Sequence, residues 1–208
     1  LRRGFDTRLG YPLADYVHAY ITYKLEWGWV VPDPSSTIPF EVEKEFEDAD
    51  SGILSSVTWN VVRDKRNDRY VTTGGSYQSA MVETAGLGGS KKFIKWVINN
   101  RYFYKLVDEL VFRNNLELGH LYPLAGKMLP PSEMFYLGGE NNLRGFNRFT
   151  IGDMYITPKG QMVPLGGVFE AFAMFELEYP LIRDAGLKLL VFSDIGNNFS
   201  AFPGAKMF

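Results

Sequence analysis

An antiparallel transmembrane β-barrel is the fold class this sequence predicts, and three observations predict it. Long stretches of the 208-residue chain alternate between apolar and polar side chains, as strands with one greasy and one wet face do. Several of these stretches run well past the ~5–6 residues of an average strand and suit tilted, lipid-crossing strands. Charged groups recur in the middle of the wet faces, among them Asp6, Arg8, Lys24, Glu26, Lys95, Arg101, Arg113, Glu117, Glu176, Glu178, Lys188 and Asp194. A water-filled lumen behind an apolar band would solvate them. The outward face of a small soluble β-sandwich would also carry such charges, but it does not explain the strand lengths.

Composition agrees. A net charge of −2 makes no electrostatic case for nucleic acid. No run of about 18 apolar residues offers a membrane helix, and the mean hydropathy of −0.13 is the average that alternating lipid-facing and lumen-facing residues give. The 15% aromatic content fits interfacial girdles as well as a soluble β core. The absence of cysteine excludes a disulfide scaffold, a thiol nucleophile and a thiolate metal site. Residue 1 falls directly on a strand-like pattern with no signal peptide before it, so the chain is expected to be mature, trimmed or partial.

The first strand runs from Arg3 to Tyr11, with Phe5, Thr7, Leu9 and Tyr11 on one face. After the turn at Leu13-Ala14-Asp15 the second continues to Val31, with Trp27 and Trp29 near an interface. Residues 32–52 form a loop with three prolines and an acidic run, Glu41, Glu43, Glu45, Glu47, Asp48 and Asp50. It reads as a solvated loop whose alternation at 40–43 allows a small β excursion; calcium is the sharper alternative, without EF-hand spacing to support it. A third strand covers Ile53 to Val62 and enters a charged turn ending at Gly74-Gly75. A fourth spans Ser76 to Ala85. The fifth carries Ile94, Trp96, Ile98, Tyr102 and Tyr104 on one face, and a short turn at Val107-Asp108-Glu109 leads to the sixth. The seventh, Val168 to Tyr179, places Glu170, Glu176 and Glu178 on its wet face and is expected to end at Pro180. The eighth, Leu187 to Ile195, places Lys188 and Asp194 likewise.

Between the sixth and seventh strands lies a loop of about forty residues, roughly 123–167, with little periodicity. Connections usually take ~4–6 residues, so a functional role is expected. Its centre is Leu137-Gly138-Gly139 and Asn142-Leu143-Arg144-Gly145-Phe146. Gly138 and Gly139 allow a tight path, Arg144 carries a planar charge, Gly145 turns the chain and Phe146 is expected as an apolar anchor. The stretch reads as the tip of a plug.

The turns after strands one, three, five and seven are short or compact, and those after two and six are long. With short turns on the periplasmic side, the first strand begins outside and the eighth ends outside. The chain is therefore expected to be an internal arc of a larger barrel.

Leu9-Gly10-Tyr11-Pro12-Leu13, Asp64-Lys65-Arg66 through Thr72-Thr73-Gly74, the Leu137-to-Phe146 segment, Gly166-Gly167, Glu176 to Pro180 and Phe192 to Asn197 occur in an order that resembles the BamA-like superfamily of outer-membrane assembly and translocation barrels, over nearly the whole chain. Val71, where the family often has proline, and Val168, where asparagine is common, depart from the pattern outside the plug motif. The resemblance implies a sixteen-stranded barrel of which these are strands six to thirteen, with periplasmic POTRA domains before it. It implies that Arg144 folds into the lumen to meet acids of the inner wall, and strand parity places Glu178 and Asp194 on the wet face. It implies a bacterial outer-membrane protein whose partners are nascent β-barrel proteins, accessory lipoproteins, the bilayer and lipopolysaccharide. No catalytic residue, metal or cofactor is expected: His18 and His120 are far apart and read as ordinary wall residues. A related translocation barrel, for two-partner secretion or autotransporter assembly, and a passive pore are the alternatives.

Overall fold

The computed structural model describes residues 1–30, 44, 47–157, 159–182 and 185–199. In chain order its strands are β1 (Arg2–Ala14), β2 (Val17–Gly28), β3 (Gly52–Asp64), β4 (Gly75–Ala85), β5 (Phe93–Val107), β6 (Leu110–Pro123), the short β7 (Met154–Ile156) and β8 (Met162–Pro164), then β9 (Phe169–Ile182) and β10 (Leu187–Phe199). Eight of them form one antiparallel sheet in the order β1-β2-β3-β4-β5-β6-β9-β10, while β7 and β8 pair only with each other inside the long loop. Strands of 11 to 15 residues are the length the alternation implied. The expected extension of the second strand to residue 31 and the β excursion at 40–43 lie outside the described residues.

The two faces separate by parity. Trp59, Ile98, Leu118, Phe175, Leu177 and Val191 are all exposed on the face the long loop leaves bare. Across that face the register lines up an aromatic row, Trp96↔His120↔Phe169↔Phe199, one ring per strand from β5 to β10. His120 lies 6.0–6.1 Å from the rings of Trp96, Tyr122 and Phe169, as a member of a girdle. Tyr104 lies eight residues along β5 from Trp96, roughly 26 Å at ~3.3 Å per residue, and is exposed on the same face. At the ~35–45° tilt usual for barrel strands that length would cross about 20 Å, most of the ~25 Å height of a barrel's apolar band.

Two-residue turns join β1 to β2 and β5 to β6, with Tyr16 and Asp108 in the left-handed region (φ 65° and 46°). The β3–β4 loop at the same end is wired by its own side chains: Asp68 Oδ1 accepts from the Tyr70 and Val71 N–H groups at 2.6 and 2.8 Å, and Asn67 Oδ1 from those of Thr73 and Gly74. Pro180 does not end β9. The strand runs on to Ile182, because its pairing with β6 already stops at Glu178 and a register shift at Leu187/Lys188 relaxes the ladder with β10. A proline is tolerated at such a frayed end.

The long loop turns back over the charged face. A 3-10 turn, Pro131–Glu133, and the β7–β8 hairpin give it more regular structure than its weak periodicity suggested. Leu129, Met134 and Phe135 pack on Leu54, Ala85, Phe93 and Leu121, so the main apolar core lies between loop and sheet. Lys95 donates to the Glu133 carbonyl at 2.8 Å and stands 4.9 Å over the Phe135 ring. Asp50, the last member of the acidic run, is not solvated as the run had suggested: it accepts from Lys91 at 3.2 Å, from Arg2 at 3.1 Å and from the Ser132 hydroxyl, tying the approach to β3 to the long loop. Burial pushes the Glu133 carboxyl above its usual range, against the pull of Lys95 and with Glu83 adding to the rise.

Candidate functional site: the inward-folded loop tip

The tip is folded by backbone and one amide. Asn142 Oδ1 accepts from the N–H groups of Gly138 and Leu143 at 2.9 and 2.8 Å, its Nδ2 donates to the Tyr136 carbonyl, and the Gly139 N–H closes on the Leu143 carbonyl at 3.2 Å. Gly138 sits at φ 106°, where a side chain is strained, and a Cβ there would come within 2.4 Å of the Asn147 carbonyl. The turn sends Leu143 into the wall beside Leu137 and Phe172, 1% exposed. Leu143 is thus the apolar anchor. Phe146, expected in that role, is 52% exposed, because Gly145 at φ 88° swings the chain off the wall before it.

Arg144 lies over the charged face of β9 and β10. Its Nε and Nη2 donate to Asp194 Oδ2 and Oδ1, both at 2.9 Å, its backbone N–H donates to Oδ2 at 2.9 Å, and Nη1 donates to Glu176. The guanidinium is centred 3.9 Å above the Phe192 ring. A planar fork engages a carboxylate and a ring face at once, which a lysine ammonium cannot copy. Hydrogen bonding to Asp194 raises the Arg144 pKa further above its ordinary range, against burial and with help from Glu176, so the charge is permanent.

Glu178, expected as the second acid of the clamp, does not meet Arg144. It accepts from Arg113 at 2.7 Å and Lys188 at 2.8 Å. Parity assigns a residue to a face but not to a height. Along β9, Met174 pairs with Asp194, Glu176 with Phe192 and Glu178 with Leu190, so Glu178 is two rungs from Asp194 and Glu176 only one. Only the register separates the two acids, and a shift beside the β9–β10 turn, at Leu187/Lys188, hides it from a count along the sequence. Arg113, which touches Glu176 at 3.8 Å as well as Glu178, stood among the wet-face charges, but nothing in the sequence marked its partners. Together Asp194, Arg144, Glu176, Arg113, Glu178 and Lys188 alternate in sign along one line. Arg113 also donates to the Thr72 carbonyl at 3.3 Å, which extends the line from the loop tip to the β3–β4 loop at the far end of the strands. Such an array holds a segment against a wall and fixes its register.

A long-stranded antiparallel sheet with an exposed apolar band, an aromatic girdle and a loop clamped across its charged face defines an arc of a membrane β-barrel. The chain belongs to the Omp85 superfamily, whose domain model matches residues 1–204. It is 30% identical over 79% of its length to the human sorting and assembly machinery component 50 homolog, and 26% identical over 95% of its length to the outer membrane protein assembly factor BamA of Nitratidesulfovibrio vulgaris. It spans about a third of the first protein (33%) and about a quarter of the second (24%). The crystal structure of BamA from Haemophilus ducreyi lacking POTRA domains 1-3 shares the fold, with a TM-score of 0.78 at 18% identity, covering 96% of this chain and 42% of that one. The resemblance to BamA-like barrels is therefore sound, and the fold is that of a barrel arc, with the loop lying across its charged face.

Proposed function

We propose that this chain is the wall-and-loop part of the central barrel of an outer-membrane protein assembly machinery, which folds and inserts β-barrel clients. The observation that carries the reading is the seating of Arg144 on Asp194, Glu176 and Phe192. The clamp braces one side of the barrel so that a weak seam elsewhere opens and offers a strand edge to the client, a form of β-augmentation. No bond is made or broken; the protein is not an enzyme on this reading. POTRA domains precede the barrel, further strands flank residues 1 and 208, and nascent barrels, assembly lipoproteins and outer-membrane lipids are its partners.

The bacterial outer membrane is the favoured compartment, supported by BamA relatives that align over 95% and 93% of the chain, against 79% for the component-50 homologs. A mitochondrial sorting and assembly component is the second reading, favoured by the 30% identity to the human protein. The test is reconstitution of the full-length protein in lipid vesicles with an unfolded client barrel. Faster client folding than in protein-free vesicles supports assembly. Steady conductance with no gain in client folding points to a passive pore. Bacterial clients folded in preference to mitochondrial ones separate the two compartments.

A further inference from the structure

Asn198 lies on the same face of β10 as Asp194 and is 3% exposed. Three separated parts of the loop converge on it. Its Nδ2 donates at 3.0 Å to the Phe135 carbonyl, which also accepts from the Gly167 N–H at 2.8 Å where the loop's two arms bridge. Its Oδ1 has no hydrogen-bond donor among the described residues and faces Gly152, where a Cβ would fall only 1.5 Å away. Its Cβ lies against Gly167, 2.8 Å from where a side chain there would begin. A buried amide that leaves one acceptor unsatisfied is destabilising unless its other contacts compensate. Here those contacts join the outgoing arm, the return arm and the exit of the loop.

We infer that Asn198 is a positioning residue, a neutral latch that fixes the base of the loop to β10 independently of the charged clamp at its tip. The two latches differ in chemistry. The Arg144 clamp is an ion-pair array one-fifth exposed at the arginine, so salt and competing charges weaken it. The Asn198 latch is buried and uncharged, so neither reaches it. The loop is then a hinged arm whose tip releases while its base stays in place, not a plug that leaves as a unit. This rests on loop geometry alone and stands or falls apart from the assembly reading, because its readout is loop accessibility.

Residues 1–208 contain no cysteine; with any cysteine elsewhere in the full-length protein replaced by serine, single cysteines report on each end of the loop: Leu165→Cys at the base (7% exposed) and Leu143→Cys at the tip (1% exposed). The measurement is the rate of maleimide labelling in the full-length protein in lipid vesicles. Asn198→Ala is expected to speed labelling at 165 about tenfold, the scale of one buried hydrogen bond, and to leave 143 within about twofold, as for independent sites. Asn198→Leu, which keeps roughly the volume, stays uncharged and loses the donor, should match it. Arg144→Ala should do the reverse, speeding 143 and sparing 165. Unchanged labelling at 165 in Asn198→Ala overturns the latch. So does equal acceleration at both positions, or loss of the compact, heat-modifiable form, since either marks Asn198 as a support of the wall as a whole.

Discussion

Arg144 meets Asp194 through three hydrogen bonds of 2.9 Å, two from its guanidinium fork and one from its own backbone N–H. The carboxylate side chain is 2% exposed and the arginine side chain 20%. An alanine at 144 therefore leaves a desolvated anion without its cation. Breaking a buried pair costs about 3–5 kcal/mol, and the exposed fraction of Arg144 lowers this to about 1–3 kcal/mol. A double-mutant cycle of Arg144→Ala and Asp194→Ala, read by urea unfolding of the barrel, is expected to show a coupling of that size, and Arg144→Lys should recover less than half of it.

Register makes a sharper prediction. Arg144 reaches Glu176 and not Glu178, while Arg113 and Lys188 hold Glu178. Cycles of Arg144→Ala with Glu176→Gln should therefore couple by about 1 kcal/mol or more, and cycles with Glu178→Gln should couple less, because Glu178 is linked to Arg144 only through Arg113 and Glu176. The same Glu178→Gln change should couple to Arg113→Ala.

How far the sequence reached follows from these two acids. Period-two alternation identified eight strands, assigned Glu176, Glu178 and Asp194 to the face the loop covers, and marked 123–167 as the odd segment, because one-sided burial writes itself into every second residue. Alternation carries no register, so it does not separate Glu178, the expected partner, from Glu176, the observed one. Inside the loop there is no period to read. Gly138 and Arg144 stood out by residue type, whereas the anchoring Leu143, the exposed Phe146 and the convergence on Asn198 depend on where the backbone turns. Asp50 looked like one more solvated acid until folding brought Lys91 and Arg2 to it.

Gly138 offers a backbone test. With φ at 106° and a carbonyl 2.4 Å from any added Cβ, Gly138→Ala should destabilise the tip by about 1–3 kcal/mol. Faster proteolysis within 137–150 than in the parent, with the strands intact, is the expected outcome.

Glu133 predicts a pH dependence. Burial raises its folded carboxyl above the ordinary value of 4.5, so the folded protein keeps that proton after the unfolded chain has lost it. The linkage slope from this group is then negative: its contribution is fully present below the unfolded value and declines as pH rises toward the folded one. Glu133→Gln should remove that decline, so the difference in unfolding free energy between variant and parent should shift in favour of the variant as pH rises from 4 to 7. A difference flat across that range would mean the carboxyl is not perturbed.

The clamp matters to function only if it serves client folding. The direct measurement is the rate at which full-length protein in lipid vesicles folds an unfolded client barrel, compared among the parent, Arg144→Ala, Asp194→Ala and the double variant, each checked for its own heat-modifiable fold. The account predicts an at least about tenfold loss in each single variant, with the double variant no worse than either, as for residues that act as one unit. Client folding at the parent's rate in a properly folded Arg144→Ala protein would contradict it.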